Sequence, residues 1–180
     1  PPPIMQNWKD AFKDFNIPLK NYDIESSGML HKIVKKLEKA EKYGEKTYDY
    51  IFIDEAHRFR NGKTSEYEML KRICLNKKVL LISATPLNNT FFDFYHLISL
   101  FQNPVDSDIP GIPNLEAFFA NRKGEIKKVE KECDGKDDQM YINAVKKVSK
   151  EVRDKILKHL MIRRTRTDIK KYFEKDIKKQ

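Results

Sequence analysis

The sequence predicts an α/β fold, a parallel sheet with flanking helices plus a helical protrusion. Two short, uninterrupted apolar runs, Tyr50-Ile51-Phe52-Ile53 and Val79-Leu80-Leu81-Ile82, have the length and composition of strands buried on both faces. Between them Met69, Leu70 and Ile73 keep helical spacing, and strand, helix, strand at this separation implies a parallel pair. The third observation is a polar end to each run: Asp54-Glu55 closes the first, Ser83-Ala84-Thr85-Pro86 the second. Polar groups just past the carboxyl ends of parallel strands lie where open α/β sheets bind ligands.

Ahead of the sheet, Ile4, Met5, Trp8, Ala11, Phe12 and Phe15 recur every three or four positions, which predicts a helix that Pro18 closes. A second helix is expected through Met29, Leu30, Ile33, Val34 and Leu37, with Ser26 or Ser27 as cap and Gly44 as stop. After Pro86 the aromatic-rich stretch from Phe91 to Phe101 reads as helical. Asn103 to Pro113, with three prolines and a glycine, must be irregular. Ile142, Val145, Val148, Val152, Ile156 and Leu157 return to roughly helical spacing, while Lys123 to Gln139 is polar enough to read as a mobile arm.

Composition narrows the function. At 180 residues and 39% hydrophobic content the chain can bury one core, so one domain with appendages is expected. No apolar run approaches the roughly 20 residues of a membrane helix, and Pro1-Pro2-Pro3-Ile4 lacks the layout of a signal peptide, which predicts a soluble intracellular protein without a membrane partner. Cys74 and Cys133 are too few and too far apart for a disulfide framework, and the four histidines show no ligand spacing for structural zinc. The net charge of +9 is unevenly placed: residues 1–120 hold 16 residues of each sign, residues 121–180 hold 20 basic and 11 acidic. The whole excess therefore lies in the last third, which favours a polyanionic partner, although a solvated helical face has the same composition.

An acidic pair after a buried strand suits nucleotide chemistry, in which one carboxylate holds hydrated magnesium and its neighbour orients or deprotonates the attacking water. The segment from Tyr48 to Asn61, containing Asp54-Glu55-Ala56-His57, resembles the second motif of Swi/Snf-like ATPases of helicase superfamily two, and Ser83-Ala84-Thr85-Pro86-Leu87-Asn88-Asn89 resembles the third. Pro2 to Lys9 is similar to that family's strand-to-helix segment that touches the DNA backbone, and His159 to Ile169 resembles the close of its first motor lobe. The resemblance implies a partial RecA-like lobe over residues 1–102, a helical protrusion over 103–158, and the end of the lobe with the start of a linker over 159–180. It implies ATP and magnesium as cofactors and duplex DNA as partner. Asp54 would bind magnesium through water, Glu55 would be the general base, and His57, Ser83, Thr85 and Asn88 would couple the nucleotide site to the nucleic-acid track. Lys9, Lys146, Lys150, Arg153, Arg163, Arg164 and Arg166 are the expected DNA contacts, with Arg163 and Arg164 equally suited to anchoring the protrusion.

The departure from the family is its phosphate-binding loop, expected upstream of Pro1 together with a second motor lobe further along the same chain. Asn61-Gly62-Lys63-Thr64 carries the last letters of such a loop but comes after the acidic motif, lacks a preceding strand and has no glycine five residues before Gly62. The expectation is a fragment of a DNA translocase, inactive alone. A non-catalytic binding module and a strand-separating or restriction-type helicase are the rival readings.

Overall fold

The computed structural model describes residues 2–83, 92–133, 135, 136 and 138–162. The chain divides into two compact units, Pro1–Asp106 and Ser107–Gln180.

The first unit opens with helix α1 (Pro2–Asp14). Proline is tolerated in a first turn because the N–H it lacks has no partner inside the helix. Helix α2 (Leu30–Tyr43) is led in by a 3-10 turn over Ser27–Met29. The expected serine cap is corrected here: Met29 stands at the N-cap, no side chain caps the helix, and the Met29 N–H donates to the Ser26 carbonyl instead. The 3-10 turn thus moves the serines one turn ahead of the helix. Gly44 ends α2 as expected, with φ 66° and its N–H directed at the carbonyls of Ala40 and Glu41.

Strand β1 (Tyr50–Ile53) pairs in parallel with β2 (Lys78–Leu81), Ile51 opposite Val79 and Ile53 opposite Leu81. Helix α3 (Ser65–Cys74) connects them. Ile51, Ile53, Val79 and Leu81 turn to one face, against a core containing Leu30 and Leu37 of α2 and Leu70, Ile73 and Cys74 of α3. The expectation of burial on both faces is corrected, since Tyr50, Phe52, Leu80 and Ile82 keep 53, 49, 44 and 41% of their surface exposed. Helices α2 and α3 lie against the first face. On the second, α1 offers Trp8, whose ring centroid is 6.2 Å from that of Phe52. Helix α4 (Asp93–Ile98) lies within the longer stretch expected from Phe91 to Phe101, and Leu97 and Leu100 join the core.

In the second unit, the segment before helix α5 (Leu115–Glu132) is irregular as expected, with Gly111 at φ 75°. Asn114 caps α5 by accepting the Ala117 N–H at 2.7 Å. Residues 123–132 are therefore ordered helix, not the expected mobile arm. Leu115, Phe119 and Ile126 are buried and anchor the helix, with Phe118 and Val129 half-buried beside them. Helix α6 (Gln139–Val152), capped by Asp138, packs on α5 and continues through a π turn at Arg153–Leu157 into a last helical turn, Lys158–Leu160. The π turn widens the helix by one residue, and the adjacent Ile156 and Leu157 are both buried, as are Val152 and Val148 earlier on the helix. Among the described residues no helix is long and apolar enough to cross a membrane.

Candidate functional site

The carboxyl end of β1 sets the site. Past Ile53 the chain leaves the sheet, and Glu55 adopts the left-handed conformation, φ 51° and ψ 44°. A residue with a β-carbon pays about 1 kcal/mol for that backbone, and such outliers cluster at functional sites. The turn is held from two sides: the Ile82 N–H donates to Ile53, and the Ala56 N–H donates to Ile82. A 3-10 turn over Ala56–Phe59 then buries Ala56 and Phe59 and presents His57 beside Glu55.

Four polar side chains converge there. Asp54 accepts two N–H groups, the Glu55 amide on Oδ1 at 2.9 Å and the Trp8 indole Nε1–H on Oδ2 at 3.0 Å. His57 Nδ1 stands 3.1 Å from Glu55 Oε2 and 3.2 Å from Ser83 Oγ. The Glu55 contact satisfies an ion-pair distance, yet Oε2 is a buried oxygen with no aligned hydrogen-bond donor among the described residues. That oxygen is therefore turned inward toward His57, while the Glu55 side chain as a whole keeps 45% of its surface exposed at the strand end. Magnesium usually keeps several waters and is held by one or two carboxylates together with substrate phosphates. Asp54 offers one exposed carboxylate, and no group of three potential ligands gathers among the described residues, a donor set that fits a hydrated ion bound mainly by phosphate.

Of the residues expected from sequence, the structure brings Asp54, Glu55, His57 and Ser83 together. Thr85, Asn88, Arg163, Arg164 and Arg166 lie outside the described residues. Lys9 is exposed on α1, one residue after Trp8. Lys146, Lys150 and Arg153 are exposed, on the side of α6 and its π turn away from the buried Val148 and Val152. Lys150 also borders an open depression of about 370 Å³, together with Lys147, Lys155 and the Arg122–Glu151 ion pair. Trp8 was not among the expected site residues, because its place on an apolar helical stripe disguises an indole whose polar edge needs an acceptor.

The phosphate-loop decoy resolves into a helix start. Thr64 Oγ1 accepts the Tyr67 N–H at 3.2 Å as the N-cap of α3, and the Lys63 N–H donates to Asn61 Oδ1 at 3.1 Å. A 3-10 turn, not a strand, precedes the segment. Burial pushes the Cys74 thiol up to about 12, so it stays protonated and inert at neutral pH.

Residues 4–180 match the model of the SNF2-related domain. The chain belongs to the SNF2-related family. An ATP-dependent helicase, YqhH, of Bacillus subtilis is 32% identical over 79 residues, 44% of this chain and 14% of its own length. Human chromodomain-helicase-DNA-binding protein 6 is 31% identical over 121 residues, 67% of this chain and 4% of its own. A Drosophila melanogaster homologue of the SWI/SNF-related regulator of chromatin subfamily A containing DEAD/H box 1 is 25% identical over 169 residues, 94% of this chain and 18% of its own. The SNF2-related chain thus spans less than a fifth of each of these relatives. No solved structure matches it.

Proposed function

We propose that this SNF2-related chain carries the hydrolytic carboxylates of an ATP-driven motor that moves along duplex DNA inside the cell. The observation that supports this best is the strand-end pair, with Asp54 oriented through both oxygens and a half-exposed Glu55 beside it, its Oε2 3.1 Å from His57 Nδ1. A general base needs a carboxylate that the attacking water can reach, and the Glu55 side chain keeps 45% of its surface exposed. Bound magnesium supplies charge neutralisation at the phosphates. Glu55 takes the proton of the attacking water, and Asp54 holds the ion's water shell. His57, Ser83, Thr85 and Asn88 couple this event to DNA, His57 through its position between Glu55 and Ser83.

The triphosphate itself needs backbone N–H groups and a lysine. No Gly-x-x-x-x-Gly-Lys-Ser/Thr stretch occurs in the 180 residues, so in this reading a phosphate-binding loop and a second lobe elsewhere in the full-length protein complete the site. Lys9, Lys146, Lys150, Arg153, Arg163, Arg164 and Arg166 meet the DNA backbone. The names of the relatives, helicases and chromatin regulators, agree with this assignment. The test is ATP hydrolysis by the full-length protein with and without duplexes of unrelated sequence. Magnesium-dependent hydrolysis stimulated by each duplex is expected, and absence of hydrolysis under all conditions overturns the reading.

A further inference from the structure

The carboxylate assigned to the metal does not stand alone, and its partner comes from 46 residues earlier in the chain. The Trp8 indole N–H lies 3.0 Å from Asp54 Oδ2. An indole N–H is a donor only, and a carboxylate is among the strongest acceptors it can find, so the bond is charge-assisted. Its direction is fixed by ring packing: the Trp8 centroid is 5.9 Å from that of Phe12 on the same helix and 6.2 Å from that of Phe52 on β1. The Glu55 amide holds the other oxygen at 2.9 Å. A carboxylate has about four lone-pair positions. Two are taken by these N–H groups, one on each oxygen, which leaves one on each oxygen for the water shell of an ion.

We infer that Trp8 is a positioning residue: its indole N–H sets the rotamer of Asp54 and thereby the affinity of the strand-end site for magnesium. The inference rests on the proposed assignment of Asp54 to magnesium. Without the indole, Oδ2 keeps its charge, but only the Glu55 amide restrains the side chain, and the carboxylate can rotate away from the ion. Glu55 is untouched by the change. The loss therefore falls on magnesium dependence rather than on the maximal rate. Groups that orient a metal-binding side chain typically contribute 10- to 100-fold in metal affinity. One bond of two, at an exposed carboxylate, points to the lower end, about tenfold.

Trp8→Phe keeps an aromatic ring against Phe12 and Phe52 and removes only the donor. In the full-length protein, the magnesium concentration giving half-maximal ATP hydrolysis should rise about tenfold in Trp8→Phe, with the rate at saturating magnesium within twofold of the parent. Equal half-saturation in the two proteins overturns the inference, and if hydrolysis still depends on Glu55 the hydrolytic reading survives that result. A second measurement needs no activity. Trp8 is the one tryptophan of the 180 residues, and subtracting the emission of Trp8→Phe from that of the full-length protein isolates its signal, which reports the bond. Asp54→Ala should shift its emission maximum, whereas the neighbouring exposed substitution Asp10→Ala should not. Emission unchanged by Asp54→Ala, in a variant whose circular dichroism matches the parent, contradicts the bond itself.

Discussion

Glu55 and His57 meet across one turn, Oε2 to Nδ1 at 3.1 Å, and the same ring nitrogen lies 3.2 Å from Ser83 Oγ at the end of the neighbouring strand. The ring nitrogen makes its hydrogen bond with Ser83 and meets Glu55 by proximity only, without hydrogen-bond alignment. The side chain that touches the proposed base is thereby tied to the second strand-end motif. In the full-length protein, His57→Ala should retain nucleotide binding and lower the DNA-stimulated hydrolysis rate by about tenfold, within the usual range of site-to-site coupling. Steady-state hydrolysis at saturating duplex DNA measures it. An unchanged stimulated rate would mean that the contact is structural.

Gly62 gives a test of local packing. A β-carbon there would stand 2.3 Å from His96 Nδ1, while one at Gly124 in α5 would meet nothing within 4 Å. Gly62→Ala should destabilise by about 1–3 kcal/mol, the usual cost of overpacking. Gly124→Ala should stabilise by about 0.5–1 kcal/mol, because glycine in a helix interior costs conformational entropy. Thermal melts of the two variants are expected to move in opposite directions.

Arg122 and Glu151 join α5 to α6 within the second unit. Arg122 Nη2–H donates to Glu151 Oε1 at 2.9 Å, and Nε lies 2.6 Å from Oε2 without a hydrogen-bond alignment, which makes one hydrogen bond and one ion pair. The Arg122 guanidinium first, and Lys155 after it, hold the Glu151 carboxyl below its ordinary 4.5. A lowered carboxylate contributes stability that is present in full above its unfolded value and lost as pH falls through the folded one. Glu151→Gln should therefore cost about 1.5–3 kcal/mol at neutral pH, the range for hydrogen bonds to charged groups. The gap should narrow below about pH 4.5. Urea midpoints of parent and variant across that range check the sign.

The exposed basic row of Lys146, Lys150 and Arg153 predicts duplex binding that weakens steeply with salt, at a slope of about −0.9 per phosphate neutralised, and that ignores base sequence. Replacing all three with glutamine should flatten the slope by about 3 if each meets one phosphate. Titrations of labelled duplexes at several salt concentrations measure it, and salt-insensitive or sequence-selective binding contradicts it.

The parts of the fold legible in the sequence were those carried by periodicity. Tyr50–Ile53 is a strand at its expected bounds and Gly44 stops α2, because an apolar run and a left-handed cap are local signals. The exposure of Phe52 and Leu80 was not legible, since burial of a strand's second face depends on which elements cover it. Nor was the helix over residues 123–132, which is anchored by the buried Ile126 and follows directly on Arg122, whose ion pair with Glu151 is distant in sequence. At the site, Asp54, Glu55, His57 and Ser83 announced themselves by their place after the strands. Trp8 did not, because a hydrogen bond spanning 46 residues leaves no periodic trace.

In the proposed assignment Glu55 is the base and Asp54 the metal carboxylate. Single-turnover ATP hydrolysis, measured alongside nucleotide binding in the full-length protein, tests it most directly. Glu55→Gln keeps the shape of the side chain but cannot take a proton, so hydrolysis should fall by about 10²- to 10⁴-fold with nucleotide still bound. Asp54→Asn should weaken magnesium-dependent binding as well. Undiminished hydrolysis in both variants would contradict the account and make the acidic pair a structural strand end.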